Sequence, residues 1–283
     1  MAPLHFLILL AIVSPIAGAG AGSYGARRFV PFRPIGPYYC STTGNYTYKS
    51  LYQVNLGKLM EYLQSGAIAN RAGLDYAVAG EAPDAVFGLT MCYADRNWTQ
   101  CQGCLQAATT GVELLCPYSR QMKAHDDACV LRYSNESFFS VTDLTSAFHV
   151  SDNETSITDF AGVNATLWSL MSRLAAEAAV SKLRLAKGSQ VYKGSQGTSQ
   201  VIYGLAQCTR DLNASECSRC LTFFVEELLS IPSDWINDAV RGYSCNVAYK
   251  IGEDFDSSIP PAIASAPMAP LALAQPPGKC LQL

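Results

Sequence analysis

The residues best placed to do chemistry are cysteines. Cys92 to Cys104 reads C-Y-A-D-R-N-W-T-Q-C-Q-G-C, and Cys208 to Cys220 reads C-T-R-D-L-N-A-S-E-C-S-R-C. These are two copies of C-x8-C-x2-C, set 116 positions apart. A C-x2-C pair can ligate zinc, cycle as a redox dithiol, or staple a fold through disulfides. Zinc would call for two such pairs, or a pair plus histidines, within one half, and each half has one pair. Eleven cysteines against three histidines favour disulfides in an oxidising compartment, so neither metal nor cofactor is expected.

Other reactive groupings are sparse. His125 beside Asp126 and Asp127 could form an acid–base group, but the expectation is an exposed turn leading into a strand at Cys129. His149 lies in a polar stretch and is read the same way, and Glu226 and Glu227 read as a solvated helix face. There is no G-x-S-x-G elbow and no glycine-rich phosphate loop, so no catalytic residue is assigned. A net charge of −3 with few charged residues gives no basic face for nucleic acid.

The elements that must position the cysteines repeat with them. Tyr52, Leu56, Leu59 and Leu63 form a helical stripe; Leu74 to Ala79 and Val86 to Tyr93 alternate as strands, with Cys92 facing away from Phe87, Leu89, Met91 and Tyr93. A second helix is predicted after Thr99, with a capping box to Gln102 and a stripe of Leu105, Ala108, Val112 and Leu115. Its counterpart is Leu221, Phe224, Leu228 and Ile231, capped by Ser215. Cys129-Leu131-Tyr133 and Cys245-Val247-Tyr249 alternate as strands, and Phe138 to Val141 adds another. The predicted fold class is α+β: two tandem modules, each of two helices on an antiparallel sheet of about five strands.

The first module is placed at 38–143 and the second at 164–256, with a polar linker over 144–162 and a Pro/Ala-rich unfolded tail over 257–283. Arg27 to Pro37 reads as an extended lead-in. Residues 1–22 read as a signal peptide: the apolar run from Leu4 to Ile16 is too short to span a bilayer and precedes small residues suited to cleavage. Six N-x-S/T sequons, at Asn45, Asn97, Asn135, Asn153, Asn164 and Asn213, agree with export. No C-terminal run is long enough to cross a membrane, and the C-a-a-X outline at Cys280 has no meaning in an exported chain. Cys280 is the odd cysteine, either a free thiol or a link to another chain.

The first module holds Cys40, Cys92, Cys101, Cys104, Cys116 and Cys129; the second keeps Cys208, Cys217, Cys220 and Cys245. The shift of 116 aligns Cys40 with Ser156 and Cys116 with Pro232. Two cysteines lost together suggest partners, so Cys40 is paired with Cys116; this leaves the other pairings open.

These motifs resemble the plant ginkbilobin-homologous repeat, also called domain of unknown function 26, over both modules from Tyr38 to Asp256. The resemblance implies Cys40–Cys116, Cys92–Cys101 and Cys104–Cys129, then Cys208–Cys217 and Cys220–Cys245. It implies a secreted, non-enzymatic cysteine-rich repeat protein of recognition or defence in the apoplast. Expected partners are a cell-wall or microbial glycan, a receptor-like kinase ectodomain or a related tandem protein, with plasmodesmal association through a partner. Mannose contacts in some single-domain relatives fall at Ser41, Lys123 and Ser134 here, and at Ile157, Ala239 and Lys250 in the second module. None of the relatives' Asn, Arg and Glu is kept, so the ligand-binding residues stay unassigned.

Overall fold

Among the described residues, four helices and ten strands follow in the order β1 (Tyr39–Cys40), α1 (Leu51–Ala69), β2 (Leu74–Ala79), β3 (Val86–Cys92), α2 (Trp98–Leu115), β4 (Gln121–His125), β5 (Cys129–Ser134), β6 (Ala147–Val150), α3 (Phe160–Val180), β7 (Leu185–Lys193), β8 (Ser199–Cys208), α4 (Ala214–Ser230), β9 (Asn237–Gly242) and β10 (Cys245–Ile251). They belong to a computed structural model that describes residues 34, 38–69, 73–145, 147–151, 157, 159–194, 197, 199–230 and 235–255. The leader, the lead-in other than residue 34, Asn153, Ser156, Ile231, Pro232, Cys280 and the tail lie outside the described residues.

Each module is a five-stranded antiparallel sheet with two helices on one face, in the orders β1-β4-β5-β3-β2 and β6-β9-β10-β8-β7. The helical stripes supply the contact. Tyr52, Leu56, Leu59 and Leu63 of α1 and Leu105, Ala108 and Val112 of α2 are buried against Val86, Ala124, Leu131 and Tyr133 of the sheet. The first helix of each module lies so close that β3 and β8 carry glycine beneath it: a Cβ on Gly88 would sit 2.6 Å from Leu59 Cδ2, and one on Gly204 2.7 Å from Leu174 Cδ1. Such contacts lie far inside van der Waals range, and only glycine avoids them.

The repeat is not a single shift. The α1 stripe recurs in α3 as Val163, Leu167, Leu170 and Leu174, with the same spacing but 111 positions on, whereas everything after the first hairpin recurs 116 positions on. The difference is absorbed by the β7–β8 ladder, which runs from Leu185 to Lys193 where β2–β3 runs only from Leu74 to Ala79. This corrects the alignment upstream. Val150 pairs with Ala239 as Tyr39 pairs with Lys123, so Cys40 corresponds to Ser151 rather than Ser156.

Three further local expectations are corrected. Phe138 to Val141 forms turns instead of a strand, because Ser140 is left-handed (φ 63°) and is held by Asp211 through its backbone N–H and hydroxyl. The polar stretch 144–162 contains β6, which pairs with β9 as an edge of the second sheet. His149 therefore sits on a strand, with Nδ1 2.9 Å from Asp238. His125 is fully buried instead of exposed.

That last finding reflects how the modules meet. The sheet faces turned away from the helices pack on each other: Leu74, Met91, Tyr93 and Val130 cluster with Tyr243, and Leu205, Ala239, Ala248 and Phe255 with Ala94. Arg241, wholly buried, pairs with Asp95 at 2.8 Å, covers the Tyr93 ring at 4.2 Å and donates to the Asp127 carbonyl. Gln207 accepts from the Ala94 N–H and donates to the Cys92 carbonyl, while Lys187 donates to the Ala94 carbonyl. His125 stacks on Tyr243 at 4.2 Å and shares a 2.7 Å hydrogen bond with the Tyr93 hydroxyl. Each module thus seals a sheet face that the other would otherwise leave in water.

Candidate functional site

The cysteine motif works because it spans a strand end and a helix start. Cys92 ends β3, and Cys101 and Cys104 occupy one face of the first turns of α2, so one helix is tied to two neighbouring strands. The pairs Cys92–Cys101 and Cys104–Cys129 have Cα separations of 5.5 and 5.9 Å, and Cys208–Cys217 and Cys220–Cys245 have 5.8 and 6.2 Å. Cys40–Cys116, at 5.5 Å, ties β1 to the end of α2. All five lie within ordinary disulfide geometry for Cα spacing.

The cap before α2 is Asn97, not Thr99. Its Oδ1 accepts from the Gln100 N–H while Gln100 Oε1 accepts from the Asn97 N–H, a capping box two residues earlier than the T-x-x-Q reading. In α4 the Asn213 Oδ1 likewise accepts from the Glu216 N–H, and the Ser215 hydroxyl donates to it. Both sequon asparagines therefore spend their oxygen on the helix. Of the other sequons, Asn45 is exposed, Asn164 is half-buried in α3, and half-buried Asn135 accepts from Gln121.

The acid–base reading of His125 fails on access. Burial first, then the charges of Arg241 and Arg132, depress its pKa to about 3, so the ring is neutral and has no route to a substrate. His149 is shifted the other way, upward, chiefly by its hydrogen bond to Asp238. Among the described residues no group of three His, Cys, Asp or Glu side chains is gathered as a metal site would require.

An open pocket of about 200 Å³ lies where β1, β4 and β5 meet the turn after β5; Tyr39, Gln121, Lys123, Arg132, Ser134, Glu136 and Phe138 line it. Aromatic rings and polar groups converge there. Lys123 Nζ lies 5.6 Å from the Tyr39 ring centre, and Arg132 covers Phe138 at 4.3 Å. Both cations are anchored by Asp143, at 2.8 Å from Lys123 and 3.4 Å from Arg132. Burial alone would raise the Asp143 pKa, but hydrogen bonds from Lys123 and Thr145 and the charge of Arg132 hold it at about 2.

Of the three positions implied by resemblance, Lys123 and Ser134 line this pocket and Ser41 does not. The Ser41 hydroxyl is buried, accepting from the Arg120 and Gln121 N–H groups. The corresponding recess of the second module, lined by Ala239 and Lys250 and entered by Asp95 and Arg96 of the first, is only about 50 Å³. Ile157 packs at the edge of the second core, and on the shift of 111 Ser41 corresponds in sequence to Asp152, which lies outside the described residues. Tyr39, Arg132 and Phe138 were not singled out from sequence. The one available signal was Arg132, a charge inside the apolar strand C-V-L-R-Y-S.

A two-layer α+β unit repeated in tandem, each copy closed by C-x8-C-x2-C disulfides, defines a class of cysteine-rich module. The family described as salt stress response/antifungal matches residues 39–136 and 151–251, and the chain belongs to it. It is 31% identical over 214 residues to the antimicrobial ginkbilobin-2-like protein of Castanea crenata, covering 76% of this chain and 86% of that one. It is 29% identical to cysteine-rich repeat secretory protein 38 of Arabidopsis thaliana, covering 74% and 80%. Cysteine-rich receptor-like protein kinase 6 of Oryza sativa is 30% identical over 87% of this chain, which spans only 35% of that kinase. The tandem ectodomains of the Arabidopsis receptor-like proteins PDLP8 and PDLP5 share the fold, with TM-scores of 0.56 and 0.57 at 22% and 21% identity; each is matched over its full length and covers 78% of this chain. Among the described residues no helix is long and apolar enough to cross a membrane.

Proposed function

We propose that this chain is an exported, non-catalytic recognition protein that acts in defence outside the plant cell, and that its first module takes a cell-wall or microbial glycan. The observation that carries this reading is the pocket at β1, β4 and β5. Aromatic faces beside fixed polar groups in a concavity suit a sugar ring, which is apolar on its faces and hydroxylated at its edge. Names of the relatives, antimicrobial and secretory, support the setting. A glycan array probed with the oxidised, glycosylated protein tests it. The expected result is binding at millimolar affinity or better that is lost in Lys123→Ala; silence across the array contradicts it.

A second reading is favoured by a separate surface. Tyr48, Leu51, Leu114 and Tyr118 are exposed together at the end of the first module where α1 begins and α2 ends. Such a patch suits a protein partner, such as a related receptor-kinase ectodomain or a plasmodesmal membrane protein. Binding to an ectodomain panel that is lost in Leu114→Asp, with no glycan bound, would favour this reading over the first.

A further inference from the structure

The two helices of the first module part between two polar clamps. At one end Gln53 Nε2 donates to Glu113 Oε1 at 3.1 Å, and at the other Thr109 Oγ1 donates to Gln64 Oε1 at 2.9 Å. Between the clamps lies a groove of about 390 Å³, on the side of the module remote from the junction. Its floor is Leu56, Met60 and Val112, and exposed Glu61 and Glu113 stand on its rim. Among the described residues neither carboxylate is in an ion pair.

Gly57 opens this groove, since a Cβ there would meet nothing within 4 Å. The repeat shows that the opening is particular to this module. On the shift that relates α1 to α3, Gly57 corresponds to Trp168 and Glu61 to Ser172, and on the later shift Glu113 corresponds to Leu229. Glu113 is tethered at Gln53, eight residues from Glu61, so the two carboxylates stand about 12 Å apart along the helix axis.

We propose that this groove binds a linear aliphatic oligoamine, a methylene chain with an ammonium group towards each end. The chain lies on Leu56, Met60 and Val112, and the ammonium groups meet Glu61 and Glu113. Charge complementarity selects a cation, and the apolar floor selects methylenes over a hydrated metal ion. The clamps close both ends, which fits a small molecule better than a helix or strand running through from a partner protein.

Calorimetric titration of the whole oxidised protein with spermidine, at physiological ionic strength, tests this. One spermidine per chain is expected, with the shorter putrescine weaker and magnesium unable to compete. Gly57→Trp, which copies the second module, should abolish binding. The double change Glu61→Gln and Glu113→Gln should weaken it roughly tenfold, the loss expected of two exposed ion pairs. Circular dichroism checks that Gly57→Trp is folded; if it is not, the glutamine variant alone decides. No heat with spermidine, or binding indifferent to the carboxylates, overturns the proposal, as does capture of a basic peptide by a groove that ignores spermidine.

Discussion

His125 shows how much a single residue's meaning depends on what packs over it. In sequence it stands before two aspartates and looks like a surface turn; in the structure Tyr243, from the other module, lies flat on it. A contact across more than a hundred residues leaves no local signature, so burial here was illegible. The consequence is a pH dependence with a definite sign. The folded pKa, about 3, lies below the ordinary 6.5, so the unfolded chain binds a proton that the folded chain refuses. The His125 contribution to stability should be full above about pH 6.5 and decline as pH falls towards 3, with the Asp143 contribution lost later, between its ordinary 3.8 and about 2. His149, shifted upward, acts oppositely: its contribution is present below 6.5 and fades as pH rises through its folded pKa. Urea midpoints measured from pH 7 to 3 should fall, and fall less steeply in His125→Phe, which keeps the stack on Tyr243. An unchanged slope would remove His125 from the account.

Elements were the most legible scale. Stripes with helical spacing gave α1, α2 and α4, and alternation gave β2, β3, β5 and β10, because periodicity reports directly which face is buried. The elements that depart from the sequence pattern depend on their neighbours: β6 is a short edge strand that exists by pairing with β9, and α2 starts before Thr99 because Asn97 caps as well as Thr does. The cap and the sequon can be separated. Asn97→Ala should cost about 1 kcal/mol in denaturant unfolding, whereas Thr99→Ala, which removes the sequon and leaves the cap, should cost little. The extra staple of the first module can be tested in the same way. Cys40–Cys116 closes a loop with a sequence separation of 76, and replacing both cysteines by serine should cost about 4 kcal/mol in the chain-entropy picture. The second module has Ser151 in place of Cys40, so in isolation it should be the first to unfold on heating.

Over the whole molecule, the repeat has been put to asymmetric use. The same recess occurs in both modules, but the first keeps it open at about 200 Å³, while the second receives Asp95 and Arg96 from its neighbour and is reduced to about 50 Å³. The buried Arg241 and Gln207 hold that intrusion in place, so the second module serves as a backing against which the first presents its pocket. The pocket itself was only half visible in sequence. Lys123 and Ser134 follow from resemblance, whereas Tyr39 of β1 meets Arg132 and Phe138, from β5 and the turn after it, only once the sheet has folded. The most direct measurement is the stoichiometry of the tightest array glycan in a calorimetric titration of the intact protein. One site per chain is predicted, lost in Lys123→Ala and untouched by Lys250→Ala. Two equal sites, or loss on changing Lys250, would contradict the account.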